Sequence, residues 1–326
     1  MSDLGTASLS TVRLKKIFAD QEPFFLTDNA ELLSELKRVG LISSLLRDAP
    51  DPMPEAVVLL AFDFDQLPRA NGVLRKLRNS RLLWVPLASF TKDLPSAIYS
   101  LRMLLQTDFE ETVARNRDIA SLFLSTPGPY LFEGIGTNIA FQLTEDVPFI
   151  SRTRLSLERG ESASIGGYTE AGMGVDLADL DVPFRFSGEL LVQGILYARH
   201  RESPRSLDPL FEAGRGTAML LAKKLPLRLQ ITDNRVDPDC FEELQHAVAE
   251  CTNPEYDWMA TELAFGTNLS IAPHIDWSFN SQFNEGIGGM HMALGDGLTG
   301  LHIDFICPGG KIDAPGSGTI SGFDIV

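Results

Sequence analysis

The chain has 326 residues, of which 44% are hydrophobic and 22% charged, and its mean hydropathy is +0.01. That composition belongs to a globular chain and excludes a collagenous or disordered one. Against 28 basic side chains stand 44 acidic ones, and the resulting net charge of −16 repels phosphate backbones and anionic lipid. Nucleic acid and membrane are therefore not the expected partners. Met1–Ser10 lacks the basic and apolar regions of a secretory signal, so a cytoplasmic protein is the expectation. Cys240, Cys251 and Cys307 form no close pair, and no disulfide framework or cysteine zinc cluster is read.

Glu55–Phe64 is an apolar run ending in acidic residues, the pattern of a buried parallel strand. Arg69–Asn79 reads as a short amphipathic helix and Arg81–Ser89 as a second buried strand. Strand, helix and strand with short links make a βαβ unit, so the first third should be α/β. From Leu94 to Leu124 apolar residues recur at helical spacing, with Leu101, Leu104, Leu105, Phe109 and Val113 on one face. Pro127-Gly128-Pro129 ends that helix.

The character then changes. Strand-like segments at Tyr130–Phe132, Asn138–Thr144, Leu190–Tyr197 and Leu227–Thr232 are separated by glycine-rich loops. Two helical stretches, Ser206–Lys224 and Pro238–Cys251, interrupt them. A boundary near Ser125–Pro129 follows, with an α/β domain over 1–127 and a β-rich α+β domain over 128–326. Gly134-Ile-Gly-Thr-Asn138 lacks the lysine and the helix of a phosphate loop. The acidic run Asp176–Asp181 lacks calcium-loop spacing and reads as a solvated loop.

The chemistry lies toward the C-terminal end. His200 and His246 sit among charged residues and read as solvated. Leu301–Ile306 alternates as a strand does, so His302 and Asp304 project from one face. His291 lies in a second strand-like segment, and Gly295-Asp-Gly297 lets the chain return between them. Two imidazoles and one carboxylate suit non-haem iron(II), and equally zinc, manganese or cobalt, so one divalent metal is expected. Glu170, Glu262 and Glu285 enlarge the set. Trp277 and Phe279, interleaved with Asn280, Gln282 and Asn284, read either as aromatic core or as the lining for an extended peptide. His274 repeats the His-x-Asp spacing and is a candidate substrate contact or support behind the metal.

The segments Glu262–Asn268, Asn284–Gly295 and Leu301–Ile306 resemble, in order, the metal-site blocks of the aminopeptidase T-like family of thermophilic metallo-aminopeptidases. That family includes iron(II) dihydroxypyridine dioxygenases. The resemblance implies an α/β domain followed by a β-rich metal-site domain. It also implies metal-ligand roles for Glu262, His291, His302 and Asp304, with Glu170 matching an early glutamate loosely and proton transfer falling to Glu170 or Glu285. Where peptidases of this type have a longer segment with a functional tyrosine, this chain has only Asp296–Gly300. The shortening shifts the expectation from general aminopeptidase toward one metal used to bind or modify a peptide. Shortened loops also resemble the peptide-binding homologues of crocagin biosynthesis, which implies a ribosomal precursor peptide as partner. Divalent-metal aminopeptidase, mononuclear iron dioxygenase and non-catalytic scaffold are the alternatives. A free strand edge in the second domain offers a surface for homodimer pairing, and the net charge favours a basic or neutral ligand segment.

Overall fold

A computed structural model describes residues 10–66, 71–125, 128–144, 149–174, 182–314, 318–321 and 323. The readings made on Pro127, on Asp176–Asp181 and on the start of the Arg69–Asn79 helix lie outside the described residues.

Ala56–Leu60 is buried throughout because its two faces meet two different cores. Val58 and Leu60 pack under Leu101, Leu104, Phe109 and Val113, whereas Val57 and Leu59 pack with Leu46 and Leu77. A strand covered on both sides needs apolar residues at every position. It is the centre of a five-stranded parallel sheet in the order Ser43–Leu45, Phe24–Thr27, Ala56–Leu60, Arg81–Val85, Ser162–Ser164. The last strand comes from beyond Pro129, so this sheet draws on both sides of the expected boundary.

The single helix expected over Leu94–Leu124 is two, Leu94–Gln106 and Phe109–Ser125. Thr107 turns its hydroxyl back onto the Met103 carbonyl (2.9 Å), and the Asp108 carboxylate accepts from the Glu111 amide (3.2 Å). Side chains that bond the local backbone in this way end one helix and start the next. Apolar periodicity does not register such a break.

The remaining strands form a sandwich. A seven-stranded antiparallel sheet runs in the order Arg235–Val236, Leu227–Thr232, Phe184–Val192, Thr137–Leu143, Tyr130–Gly134, Lys311–Ala314, Gly318–Ile320. A six-stranded antiparallel sheet runs in the order Gly194–Ala198, His302–Pro308, Gly289–Leu294, Ala260–Gly266, Glu170–Gly174, Phe149–Ile150. Phe141, Phe186 and Leu229 of the first meet Phe265, Met292 and Phe305 of the second. The other face of the six-stranded sheet looks toward the helices of the first half. Among the described residues, no helix is long and apolar enough to cross a membrane.

Polar side chains stitch the helices to that second face. Asn116, fully buried on Phe109–Ser125, donates to the carbonyls of Arg152 (3.0 Å) and Tyr168 (2.9 Å) and accepts from Thr267 (2.8 Å). One amide therefore holds the turn leading to Glu170 and the chain leaving Ala260–Gly266. Asn116→Ala leaves those three groups without this partner and should destabilise the fold by about 1–3 kcal/mol. Urea denaturation reads this as a lower midpoint at unchanged slope. An unchanged midpoint would contradict the role.

Candidate metal centre

Strand alternation decides which side chains meet. Leu263, Phe265, Met290, Met292, Ile303 and Phe305 fill the sandwich core. The residues between them, Glu262, His291, His302 and Asp304, must face the opposite way. Register then brings them together. Glu262 pairs with Ala293, Ala293 with Asp304, and His291 with Ala264. Small neighbours on the same face, Gly172, Ala264, Ala293 and Ala198, leave room for the longer polar side chains. Glu170 enters from the end of the Gly166–Thr169 turn. A β-carbon on Gly166 would lie 2.5 Å from both Glu170 Oε1 and Gln282 Nε2, so a larger residue there would displace these side-chain ends.

His302 Nε2 lies 3.0 Å from Asp304 Oδ1 and 3.2 Å from Glu262 Oε2. His291 Nε2 lies 3.5 Å from Glu170 Oε2 and 3.7 Å from Glu262 Oε1. The two oxygens of Glu262 thus face different histidines. Two groups of three donors result, Glu170–Glu262–His291 and Glu262–His302–Asp304, each with its atoms within 4.8 Å of one another. Neither group joins both histidines, which departs from the two-histidine, one-carboxylate set expected from the sequence.

The tautomer of His302 is set from behind. Its Nδ1 is 3.0 Å from the Gly295 carbonyl, which can only accept, so Nδ1 carries the proton. The Nε2 lone pair of the neutral ring then points at two carboxylates. That contact is repulsive unless a proton or a metal cation lies between them. Gly295 is held by Thr261, whose hydroxyl donates to the same carbonyl, and by the turn that follows. There, Asp296 Oδ1 accepts from the amides of Leu298 (2.8 Å), Thr299 (2.8 Å) and Gly300 (3.2 Å). Its Oδ2 accepts from Thr299 Oγ1 and Tyr256 OH, both at 2.8 Å. Burial works to raise the Asp296 pKa, but these donors outweigh it and hold the carboxyl below its usual range. The Asp296–Gly300 turn is closed by these bonds, and the Tyr256 hydroxyl is committed to Asp296.

The field of the pocket is strongly negative. Burial, reinforced by Glu262 and Asp304 and opposed by His291, pushes the Glu170 pKa up to about 8. Burial together with Glu170, Asp304 and Glu262 raises the Glu285 carboxyl well above its usual range. Burial also works to raise Glu262, but the two histidines outweigh it and hold it well below. For His302, burial opposes the charged ring, yet Asp304 and Glu262 win and raise its pKa well above the usual value. His291 shifts the same way, with burial outweighed by Glu262 and Glu170.

The donor set fits a divalent cation. Glu170 Oε2, both His291 ring nitrogens and Asp304 Oδ2 are buried without a hydrogen-bond partner. Such orphans are rare in folded proteins unless an ion or water completes them. Tetrahedral bonds of about 2.0–2.1 Å place ligand atoms roughly 3.3 Å apart, and the contacts above run from 3.0 to 3.7 Å.

The other sequence candidates divide. Glu285, at the end of helix Gln282–Glu285, is buried and shares the field of Glu170, Asp304 and Glu262. Trp277 is half-buried against Gly194, where a β-carbon would meet its ring at 2.2 Å. Phe279 stacks on Tyr99 with centroids 4.6 Å apart. His274 is exposed at the end of a 3-10 turn. Two of the three amides read as peptide lining, Asn280 and Asn284, are bonded within the fold. Asn280 bonds both the N–H (2.9 Å) and C=O (2.8 Å) of Tyr197 on the sheet edge. Asn284 donates to the carbonyls of Asp276 (3.1 Å) and Phe279 (2.9 Å) and accepts from Tyr99 OH (2.6 Å). The turn at Gly295-Asp-Gly297 is expected from the sequence, but the closing role of the Asp296 carboxylate is not, although Asp-x-x-Thr after glycine is an Asx-turn signal.

Two expectations follow. Without metal, Glu170 is protonated in the folded chain between its ordinary 4.5 and about 8, so the folded state holds the extra proton. Its contribution is complete below 4.5 and is lost as pH rises toward 8, at up to about 1.4 kcal/mol per pH unit. Urea midpoints in chelator should fall over this window, and added divalent metal should flatten the decline; a flat profile in chelator would contradict it. Asp296→Ala should weaken metal binding by roughly 10–100-fold in equilibrium titration, because the Gly295 carbonyl behind His302 loses its support. Unchanged affinity would contradict that support.

Among curated proteins none matches the chain. Among solved structures, wild-type AmpT from Thermus thermophilus aligns at a TM-score of 0.43 and 14% identity, covering 95% of this chain and 94% of that one. A family model described as crocagin biosynthetic protein CgnE/B matches residues 20–314, a span that includes both donor groups and every strand that carries them. The chain belongs to the crocagin biosynthetic protein CgnE/B family.

Proposed function

We propose that this protein is a metal-dependent peptide-binding component of ribosomal-peptide biosynthesis, holding or modifying a precursor peptide at the Glu262 centre. Membership of the family supports the biosynthetic setting. The observation that carries the metal reading is the shared carboxylate, with one Glu262 oxygen toward His291 and the other toward His302. On this reading the arrangement offers two adjacent cation positions where the sequence suggested one. Glu170, Glu262 and His291 would hold one, and Glu262, His302 and Asp304 the other. A bound divalent ion would supply Lewis-acid polarisation of a peptide carbonyl. The chain itself fixes His302 through Gly295 and keeps bulk water from His291, which is 1% exposed. Glu285, whose protonated form is favoured by burial and by its acidic neighbours, offers a proton-transfer group at the wall of the pocket.

A second reading, divalent-metal aminopeptidase, is favoured by the same shared carboxylate, because paired metals need a bridging ligand. Against it stands the short Asp296–Gly300 turn, whose neighbouring Tyr256 bonds Asp296. The iron dioxygenase reading loses support because neither donor group contains both histidines.

Metal analysis of the purified chain should find about two divalent ions per molecule, the number that bridged sites hold. His302→Ala should lower that count without changing the circular dichroism spectrum. A panel of fluorogenic aminoacyl amides with cobalt, zinc or manganese should show no efficient turnover. Protein that retains no metal would overturn the metal reading. Efficient release of N-terminal residues would restore the aminopeptidase.

A further inference from the structure

Beside the metal centre lies a cleft of about 320 Å³ between the Ser89–Lys92 segment and helix Asp208–Ala222. Ala198, on its wall, pairs with His302 across the sheet, so the cleft opens one strand away from the second donor group. Its charge runs against that of the molecule. Five basic side chains, Lys92, Arg199, Arg201, Arg205 and Arg215, line it against three acidic ones, on a chain whose net charge is −16.

Most of these cations are held in fixed positions. Arg199 pairs with Asp208 (2.6 Å) and lies 4.6 Å over the Phe211 ring. Arg201 lies 4.8 Å over Trp84, Arg205 pairs with Asp65, and Lys92 bonds Asp63 at 2.8 Å. Arg215 is exposed on the helix face lining the cleft and has no ion pair or hydrogen bond among the described residues. Ser203, also on the wall, is 8% exposed, and its hydroxyl is buried without a partner. A free guanidinium and an orphaned hydroxyl in one cleft mark places for an anionic acceptor.

We infer that this cleft receives a carboxylate of the bound peptide, either its C-terminal group or an Asp or Glu side chain. The inference rests on the peptide reading above. A guanidinium fork matches a planar, singly charged carboxylate in bidentate fashion. The interleaved Asp65, Asp208 and Glu212 would repel a phosphate of higher charge. The overall negative charge, which taken alone favours a basic segment, is screened beyond about 8 Å at physiological salt, so the local cations decide.

The test equilibrates the full chain, immobilised and metal-loaded, with randomised hexapeptide pools and counts retained peptides by mass spectrometry. One pair of pools differs in a free or amidated C-terminus, and another in Asp and Glu against Asn and Gln. At physiological salt the free-acid or acidic pool should be retained on the order of 5-fold better, and Arg215→Glu should remove most of that preference. A preference in the first pair assigns the terminal carboxylate, and one in the second assigns the side chain. Equal retention in all pools overturns this inference and leaves the peptide reading standing. A preference unchanged by Arg215→Glu overturns the placement in this cleft. Retention of no peptide overturns both.

Discussion

Four carboxylates and two imidazoles are gathered on one buried face of a sheet, and their mutual repulsion is the constraint on which the rest of the structure depends. Glu170, Glu262, Glu285 and Asp304 cannot all be ionised there without compensation, because burial weakens the solvent screening that ordinary surface carboxylates enjoy. Protons compensate in the metal-free chain. Burial favours the protonated forms of Glu170 and Glu285, and the neighbouring carboxylates favour those of the histidines. A divalent cation would compensate with fewer groups and would also give orphaned atoms of His291 and Asp304 a partner. Metal binding and proton release are therefore two sides of one balance.

The surrounding fold is arranged to keep that cluster from relaxing apart. Antiparallel register sets Glu262, His291, His302 and Asp304 on adjacent strands. The Asp296 turn fixes the Gly295 carbonyl, and that carbonyl fixes the His302 ring. From the other side, Asn116, Ser281 and Asn284 tie the helices of the first half to the segments that carry Glu170 and Glu285. The Gly194–Ala198 edge is occupied at Tyr197 by Asn280, so a peptide strand cannot simply extend the sheet there. A peptide seated in the Arg199–Arg215 cleft, one strand from His302, would avoid that obstacle.

Much of this was legible in the sequence because it is local. Period two put His302 and Asp304 on one face, and continuous apolar runs marked Ala56–Leu60 as a doubly covered strand. What stayed hidden depends on partners distant along the chain. The break at Thr107 and Asp108 is made by their bonds to the local backbone and braced by Asn268 and Ser270, more than a hundred residues away. Asn280 and Asn284 looked like ligand contacts because nothing near them reveals that Tyr197 and Tyr99 are their partners. The division of the ligands into two groups sharing Glu262 is likewise a matter of side-chain direction. The two-histidine, one-carboxylate set and the short Asp296–Gly300 segment pointed to one metal.

The central claim is that the Glu262 carboxylate lies between two divalent cations. Diffraction from crystals grown with manganese or zinc, recorded at the absorption edge of the metal, tests it most directly. The account predicts two anomalous peaks on opposite sides of Glu262, one within about 2.0–2.2 Å of a His291 ring nitrogen and one at that distance from His302 Nε2. A metal-saturated crystal with no peak in this pocket, and the histidines still in ion pairs with Glu170, Glu262 and Asp304, would contradict it.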